Sequence, residues 1–202
     1  MKVLVSIPNR GWVHRQVLGL VVKMLAEREY GVELIAPVFS PPYDNALNTI
    51  VRGFYEGDCD FWFNMDDDNP PSRNPLELMK LDKDIIGCPT PGLSEKQSPM
   101  VHPMAFRIVD GQHVPVRDGK GLERVDAISS GAMLIHRRVF ENSEMRKYPF
   151  LSIYNEFGQR THGPDISFCS RAKKAGFEIF AHFDYPALHY KEVELGELMG
   201  KL

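Results

Sequence analysis

Asp66, Asp67 and Asp68 stand in a row, with Asn69-Pro70-Pro71 directly after them. Three adjacent carboxylates repel one another, and a divalent cation is the most economical way to relieve the repulsion. Hard oxygen ligands of this kind suit Mg²⁺ or Mn²⁺, above all when phosphate oxygens complete the shell. The residues just before them, Phe61-Trp62-Phe63 with Met65, form a short apolar and aromatic run that suits a buried strand. A sheet strand does not continue into Pro-Pro, so this strand ends here with the acids at its carboxyl end. In open α/β sheets that edge is where ligands bind. By itself D-D-D also reads as a solvated acidic turn, with one aspartate capping the next helix.

The elements that must position this tip follow in order. Lys2–Ile7 reads as a first strand, broken at Pro8, and Pro8-Asn9-Arg10-Gly11-Trp12 as the loop at its carboxyl end. Arg15–Glu29 carries Val17, Val21, Met24 and Leu25 at helical spacing, with Gly31 as its stop. Val32–Ala36 is a second strand. Asp44 is placed to cap a helix over Asn45–Glu56, with Leu47, Ile50, Val51 and Phe54 inward. Asn74-Pro75 opens a helix at Leu76–Leu81, and Asp84–Cys88 is another strand. This alternation predicts an α/β half with a parallel sheet. In the second half, Asp110-Gly111 marks a hairpin between Ala105–Val109 and His113–Val116. Leu122–Ile128 and Ala132–His136 read as strands around Ser129-Ser130-Gly131. Arg137–Glu141 reads as a short helix, Tyr148–Tyr154 as an aromatic loop, and Gly163–Ala175 as a helix ending at Gly176. Phe177–Ala181 is a late strand and Val193–Leu202 a short amphipathic helix.

At 202 residues the chain is long enough to bury a real core. A net charge of −3 gives no global pull towards nucleic acid or anionic membrane, although it would hide a local basic face. Cys59, Cys88 and Cys169 are odd in number and widely spaced, as expected of reduced, buried thiols in a cytoplasmic protein. The apolar run before Pro8 is too short for a signal peptide or membrane anchor, and no membrane insertion is expected.

Taken in order, several segments resemble the GT-A glycosyltransferases, in particular the family 2-like nucleotide-sugar transferases. They are V-S-I-P-N-R at Val5–Arg10, N-A-L-N at Asn45–Asn48 and M-D-D-D-N at Met65–Asn69, the last looking like a metal-binding D-x-D. S-S-G-A-M-L-I-H-R-R-V-F at Ser129–Phe140 and G-P-D-I-S-F-C-S-R-A-K-K-A-G-F at Gly163–Phe177 follow, with His189 in A-L-H-Y. The resemblance implies a Rossmann-like GT-A domain over 1–202 with a mixed central sheet and helices on both faces. Residues 1–90 would form the nucleotide-binding half and 91–202 the acceptor-binding half. One departure is Pro164, which stands where the family often has the first acid of E-D and leaves Asp165 alone.

The resemblance also implies roles. Asp68 would bind the metal directly, Asp66 would sit near the ribose or contact the metal through water, and His189 would be a further ligand or diphosphate contact. Asp165 would be the base that deprotonates the acceptor hydroxyl if the enzyme inverts. Pro8, Arg10, Asn45, Asn48, Arg52 and Asp67 would lie near the nucleotide, and Gly131 would permit close backbone approach to the donor sugar. Each has a plainer rival. Asp165 also reads as a helix-start carboxylate stabilised by the dipole, His189 as a core histidine with His182 as rival ligand, and Asn48 and Arg52 as a solvated helical face. His102, His113, His136 and His162 are scattered and read as structural or surface residues. Arg137-Arg138 and Lys173-Lys174 read as solvated faces unless the acceptor is a polyanion.

The chemistry explains the residue types. Sugar transfer from a nucleoside diphosphate needs the charge on the leaving group stabilised, which a dication with a nearby Arg or His supplies. The acceptor alcohol needs a carboxylate within hydrogen-bond reach. The reading is therefore a metal-dependent glycosyltransferase taking a nucleotide-sugar, with UDP favoured, to an acceptor such as a glycan or a hydroxymethylated DNA base. The alternatives are a sugar-phosphate nucleotidyltransferase, which would normally show a Gly-rich phosphate loop after the first strand, and a non-catalytic nucleotide- or carbohydrate-binding module.

Overall fold

The computed structural model describes residues 1–39, 42–93 and 101–191. Its first half alternates as expected: β1 (Lys2–Ser6), α1 (Arg15–Ala26), β2 (Gly31–Ile35), α2 (Tyr43–Glu56), β3 (Phe61–Met65), a 3-10 helix (Pro75–Leu81) and β4 (Ile85–Gly87). Then come β5 (Pro91–Leu93), β6 (Val101–Pro103), β7 (Ala105–Val109), β8 (Gln112–Pro115), β9 (Leu122–Arg124), β10 (Ala127–Ile128) and β11 (Ala132–His136). The chain continues through α3 (Arg138–Glu141), α4 (Ser143–Arg146), β12 (Ile153–Tyr154), β13 (Arg160–His162), α5 (Pro164–Lys174) and β14 (Ile179–His182).

Seven strands form the main sheet in the order β2-β1-β3-β11-β4-β14-β9. The parallel run ends in the middle: β11 pairs antiparallel with both β3 and β4, while β14 returns to parallel pairing with β4. Alternate residues of each central strand feed two cores. Val3, Val5, Phe61, Phe63 and Leu134 face Val17, Val21 and Met24 of α1. Leu4, Trp62, Ile85, Met133 and Ile135 face Leu47, Ile50, Val51 and Phe54 of α2 and Phe168 of α5. Helices therefore cover both faces, as a strand buried on both sides requires.

Several elements differ from the sequence expectation, each for a local reason. Helix α1 stops at Ala26 because Glu27 is extended, and Gly31 opens β2 rather than ending the helix. Helix α2 begins at Tyr43, so Asp44 lies in its first turn, where it accepts the Ser152 backbone N–H at 3.1 Å. The expected strand Leu122–Ile128 is two strands in two sheets. β9 joins the main sheet and β10 pairs with β7; between them Val125 N–H donates to the Ile179 carbonyl and Asp126 N–H to the Phe106 carbonyl. Val193–Leu202 lies outside the described residues. Arg137 and Arg138 are not solvated faces. Arg137 donates to the carbonyls of Phe54, Tyr55, Gly57 and Cys59, closing the end of α2, and Arg138 pairs with Asp82 and Asp84. All three cysteines are buried free thiols. No helix among the described residues is long and apolar enough to cross a membrane.

Candidate active site at the carboxyl edge of the sheet

The strands β1 and β3 end side by side, so the Pro8–Arg10 loop and the Asp66–Asp68 tip share one edge. A relay of satisfied polar groups fixes them from below. The Trp62 indole N–H donates to Ser6 Oγ at 2.7 Å, Ser6 Oγ donates to Asn64 Oδ1 at 2.9 Å, and Asn64 Nδ2 donates to the Ser130 carbonyl at 2.7 Å. Tyr43, at the start of α2, receives the other Asn64 amide hydrogen and donates its own hydroxyl to Asp66 Oδ1. The backbone closes the same corner, with Asp66 N–H donating to the Gly131 carbonyl at 2.8 Å. Gly131 is required there: a Cβ would stand 2.5 Å from Asn69 Oδ1 and 3.1 Å from Asp66 Oδ2. The glycine clearance is thus filled by Asp66 and Asn69 side-chain oxygens.

The three aspartates occupy different environments. Burial pushes the Asp66 carboxyl up to about 7 against the Tyr43 hydrogen bond, with Asp68, Asp67 and Asp165 adding repulsion. Asp67 is also raised, by partial burial and by Asp68, and is restrained by a hydrogen bond from the Arg10 backbone. Its carbonyl accepts the His14 N–H at 2.8 Å. Asp68 is buried, and a strap made of the residues 188–191 lies across it. Leu188 N–H donates to the Pro70 carbonyl, Tyr190 N–H to the Asp68 carbonyl and Asn69 Nδ2 to the Leu188 carbonyl, while the Tyr190 ring stacks on His14 at 3.8 Å.

That strap brings His189 to the tip. Its Nδ1 lies 2.6 Å from the Pro91 carbonyl, and since a carbonyl only accepts, Nδ1 carries the proton. In the neutral ring Nε2 then presents a lone pair, 3.6 Å from Asp68 Oδ2. A carboxylate oxygen and an imidazole nitrogen thus point at one place, a donor set that fits a hard or borderline cation; the carbonyl behind the imidazole is the outer partner such ligands use. Lys191 Nζ, 2.6 Å from the same Asp68 oxygen, supplies positive charge there. The rival, His182, packs edge-on against Tyr185 and its charged neighbours are Asp184 and Arg73, so the structure keeps it from the aspartates.

A different trio is compact enough to share an ion. Glu33, Asp58 and Cys59 have ligand atoms within 4.8 Å of one another. They sit at the amino end of the strands, and Lys2 is already there: its ammonium is 2.6 Å from Glu33 and also pairs with Asp58. Burial and the Glu33 carboxylate push the Cys59 thiol up to about 11, away from the thiolate a metal needs. With Lys2 bridging both carboxylates and the Cys59 thiol held protonated, this cluster is an ion-pair corner.

Asp165 opens α5 and lines the same cleft as Asp66, a space of 560 Å³. Burial raises its carboxyl, opposed by the Ile166 N–H at 2.9 Å and by nearby Arg160 and His113. The structure also brings His102, His113 and His162 into this cleft, from β6, β8 and β13. The strand β13 lies far along the chain from β6 and β8, so spacing alone gave no signal. Lys191, two residues beyond His189, and Tyr43, beside Asp44, were within reach of sequence reasoning and were missed. So was Asn9, whose amide holds the carbonyls of Ile7, Ala36 and Pro37 and whose Oδ1 accepts from Gly11.

Other expected contacts fall elsewhere. Pro8 is buried in the loop and Arg10 is exposed beside Asp67. Asn48 spends both ends of its amide on the Phe150 backbone, at 2.8 and 3.1 Å. Arg52 pairs with Glu56 on the exposed side of α2. Asn45 is exposed and borders a cavity of 370 Å³ with Pro37, Val38 and Phe39. The structure does not bring Asn48 and Arg52 to the carboxylate edge.

No protein-family model and no curated sequence matches the chain. Solved structures do match its fold. The crystal structure of A197 from STIV aligns with a TM-score of 0.68 at 16% identity, covering 95% of this chain and 87% of that one. GalNAc-T7, solved with UDP, GalNAc and Mn²⁺, aligns with a TM-score of 0.55 at 11% identity, covering 96% of this chain and 44% of that one. At such identities the likeness is one of fold: a mixed α/β sheet of the GT-A-like kind.

Proposed function

We propose that the chain is a metal-dependent glycosyltransferase that moves a sugar from a nucleotide-sugar, with a UDP-sugar favoured, to an acceptor hydroxyl. The observation that carries this reading is the Asp68–His189 pair, a buried carboxylate and a partly exposed imidazole 3.6 Å apart, with the Nδ1 proton committed to the Pro91 carbonyl. Asp68 and His189 would hold Mn²⁺ or Mg²⁺; Asp66, whose ligand atoms do not close with theirs into a compact trio, would contact the ion through water or sit near the ribose. A bound dication supplies positive charge against the leaving diphosphate. Arg10, Asp67 and the Pro8 loop lie on the nucleotide side of the tip, and the cavity at Pro37–Phe39 and Asn45 suits the base. Gly131 makes room for the Asp66 and Asn69 side chains at the tip. Asp165, across the cleft from Asp66, takes the acceptor proton, which favours inversion.

Thermal shift and nucleotide-sugar turnover with and without Mn²⁺ test the reading. Stabilisation by UDP is expected only with Mn²⁺, slow UDP release from the right UDP-sugar should follow, and Asp68→Ala should remove both. Pyrophosphate release from a nucleoside triphosphate and a sugar phosphate would replace the reading with nucleotidyl transfer. Binding without turnover of any donor would replace it with a binding module.

A further inference from the structure

The cleft that holds Asp66 and Asp165 does not stop at Asp165. His113, His162 and Ile166 line it and also line a second cavity, of 330 Å³, between the β7–β8 hairpin, β12 and α5. The two cavities share these three residues as walls, and side by side they outline a trough. Ile108, Ile153 and Ile166 make an apolar floor, with Ile108 and Ile153 46% and 45% exposed. The His113 and His162 rings meet edge to face above it, centroids 6.1 Å apart.

The walls carry positive charge. Arg160 borders the inner part and Lys174 the outer part, and neither lies within 4 Å of a carboxylate among the described residues. Lys173 is paired with Asp126, which also accepts the Ile108 N–H at 2.6 Å, so that carboxylate is already satisfied. Burial, His162 and Lys173 all work against a charge on His113, leaving a neutral ring able to donate or accept. The negative groups left facing the trough are Asp165 and Asp66 at its inner end. A ligand matching this pattern has a hydroxyl at one end, a ring with an apolar face in the middle, and an anion beyond it. Arg160 and Lys174 are exposed, and an anion beyond the ring would give them a fixed counter-charge that a neutral sugar would not.

We propose that this trough is the acceptor site and that its acceptor is an anionic sugar, bearing a phosphate or a carboxylate. The proposal rests on the glycosyltransferase reading of Asp165. The acceptor hydroxyl proton passes to the Asp165 carboxylate while the oxygen lone pair forms the new bond to the donor sugar carbon. The bond from that carbon to the diphosphate breaks, and its electron pair leaves on the phosphate oxygen.

Calorimetric titration of the full chain with glucose 6-phosphate, glucuronic acid and glucose tests this, each with and without UDP and Mn²⁺. At least one anionic sugar should bind about tenfold tighter than glucose, the value of one charge-assisted contact. Which of the two it is separates phosphate from carboxylate recognition. The double substitution Arg160→Gln, Lys174→Gln should abolish that preference while the UDP–Mn²⁺ thermal shift stays as in the parent. Equal binding of charged and neutral sugars, no binding of any, or a preference that survives the double substitution overturns the proposal. The nucleotide arm keeps the two readings apart. A normal UDP–Mn²⁺ shift without anion preference removes only the acceptor assignment, whereas a missing shift removes the donor site and with it the role given to Asp165.

Discussion

At His189 the direction of one proton sets what the acidic tip can bind. With Nδ1 committed to the Pro91 carbonyl, the neutral ring turns its Nε2 lone pair towards Asp68. Asp165 poses a related question of charge. Its carboxyl is raised by burial, and a base must be ionised to accept a proton. Transfer should therefore rise with pH through a midpoint above the ordinary carboxylate range. Asp165→Asn should cost about 10²–10⁴-fold in turnover while donor binding, followed by the UDP–Mn²⁺ thermal shift, is retained. An acid limb in the ordinary aspartate range, or a variant with near-parental turnover, would remove Asp165 from the role. Gly131 gives a steric test of the same corner. A methyl group there meets Asn69 Oδ1 at 2.5 Å, so Gly131→Ala should destabilise the fold by about 1–3 kcal/mol, seen as a lower denaturation midpoint. The acid triplet, His189 and Asp165 were legible because they lie in recognisable order along the chain. His113 and His162 were not, because only the tertiary fold brings β8 and β13 together.

At the scale of elements, the strap at residues 188–191 does two things to the tip. It delivers His189, and it lays the Lys191 ammonium 2.6 Å from the Asp68 oxygen that a cation would take. Lys191 is largely exposed, so the pair is worth at most ~1 kcal/mol. Removing the ammonium should still favour the metal. Lys191→Ala is expected to bind Mn²⁺ alone more tightly, by up to roughly fivefold, as read from the free-ion signal in electron paramagnetic resonance. Weaker binding would show that Lys191 supports the ion instead of competing with it. The helices α2 and α5 and the strands β3 and β11 were readable from periodicity and from stops such as Gly176, whose φ is 92°. The division of Leu122–Ile128 between two sheets was not. Both pieces are short and apolar, and the change of sheet depends on partners at Ile179 and Phe106 that lie far away in sequence.

Over the whole molecule, β1, β2 and β3 give a parallel set whose carboxyl ends gather Pro8, Pro37 and the aspartates on one edge. The alternating first half predicted that much. It could not predict β11, which enters antiparallel between β3 and β4 and carries Gly131 back to the tip. Concentrating carboxylates on one partly desolvated edge has a global consequence for stability. Asp66 ionises near 3.8 in a chain free of neighbours and near 7 in the folded protein. Below the first value it is protonated in both states and contributes nothing. Between the two, the unfolded chain has released a proton that the folded protein still holds, so stability falls as pH rises, and above about 7 the full penalty is present. In EDTA, Asp66→Asn should therefore raise the melting temperature at pH 8, by roughly 2–4 °C for each kcal/mol recovered, and leave it nearly unchanged at pH 4. A gain confined to acid, or none at pH 8, would mean that the edge carries its charge without cost, and that the tip has no electrostatic reason to seek a dication.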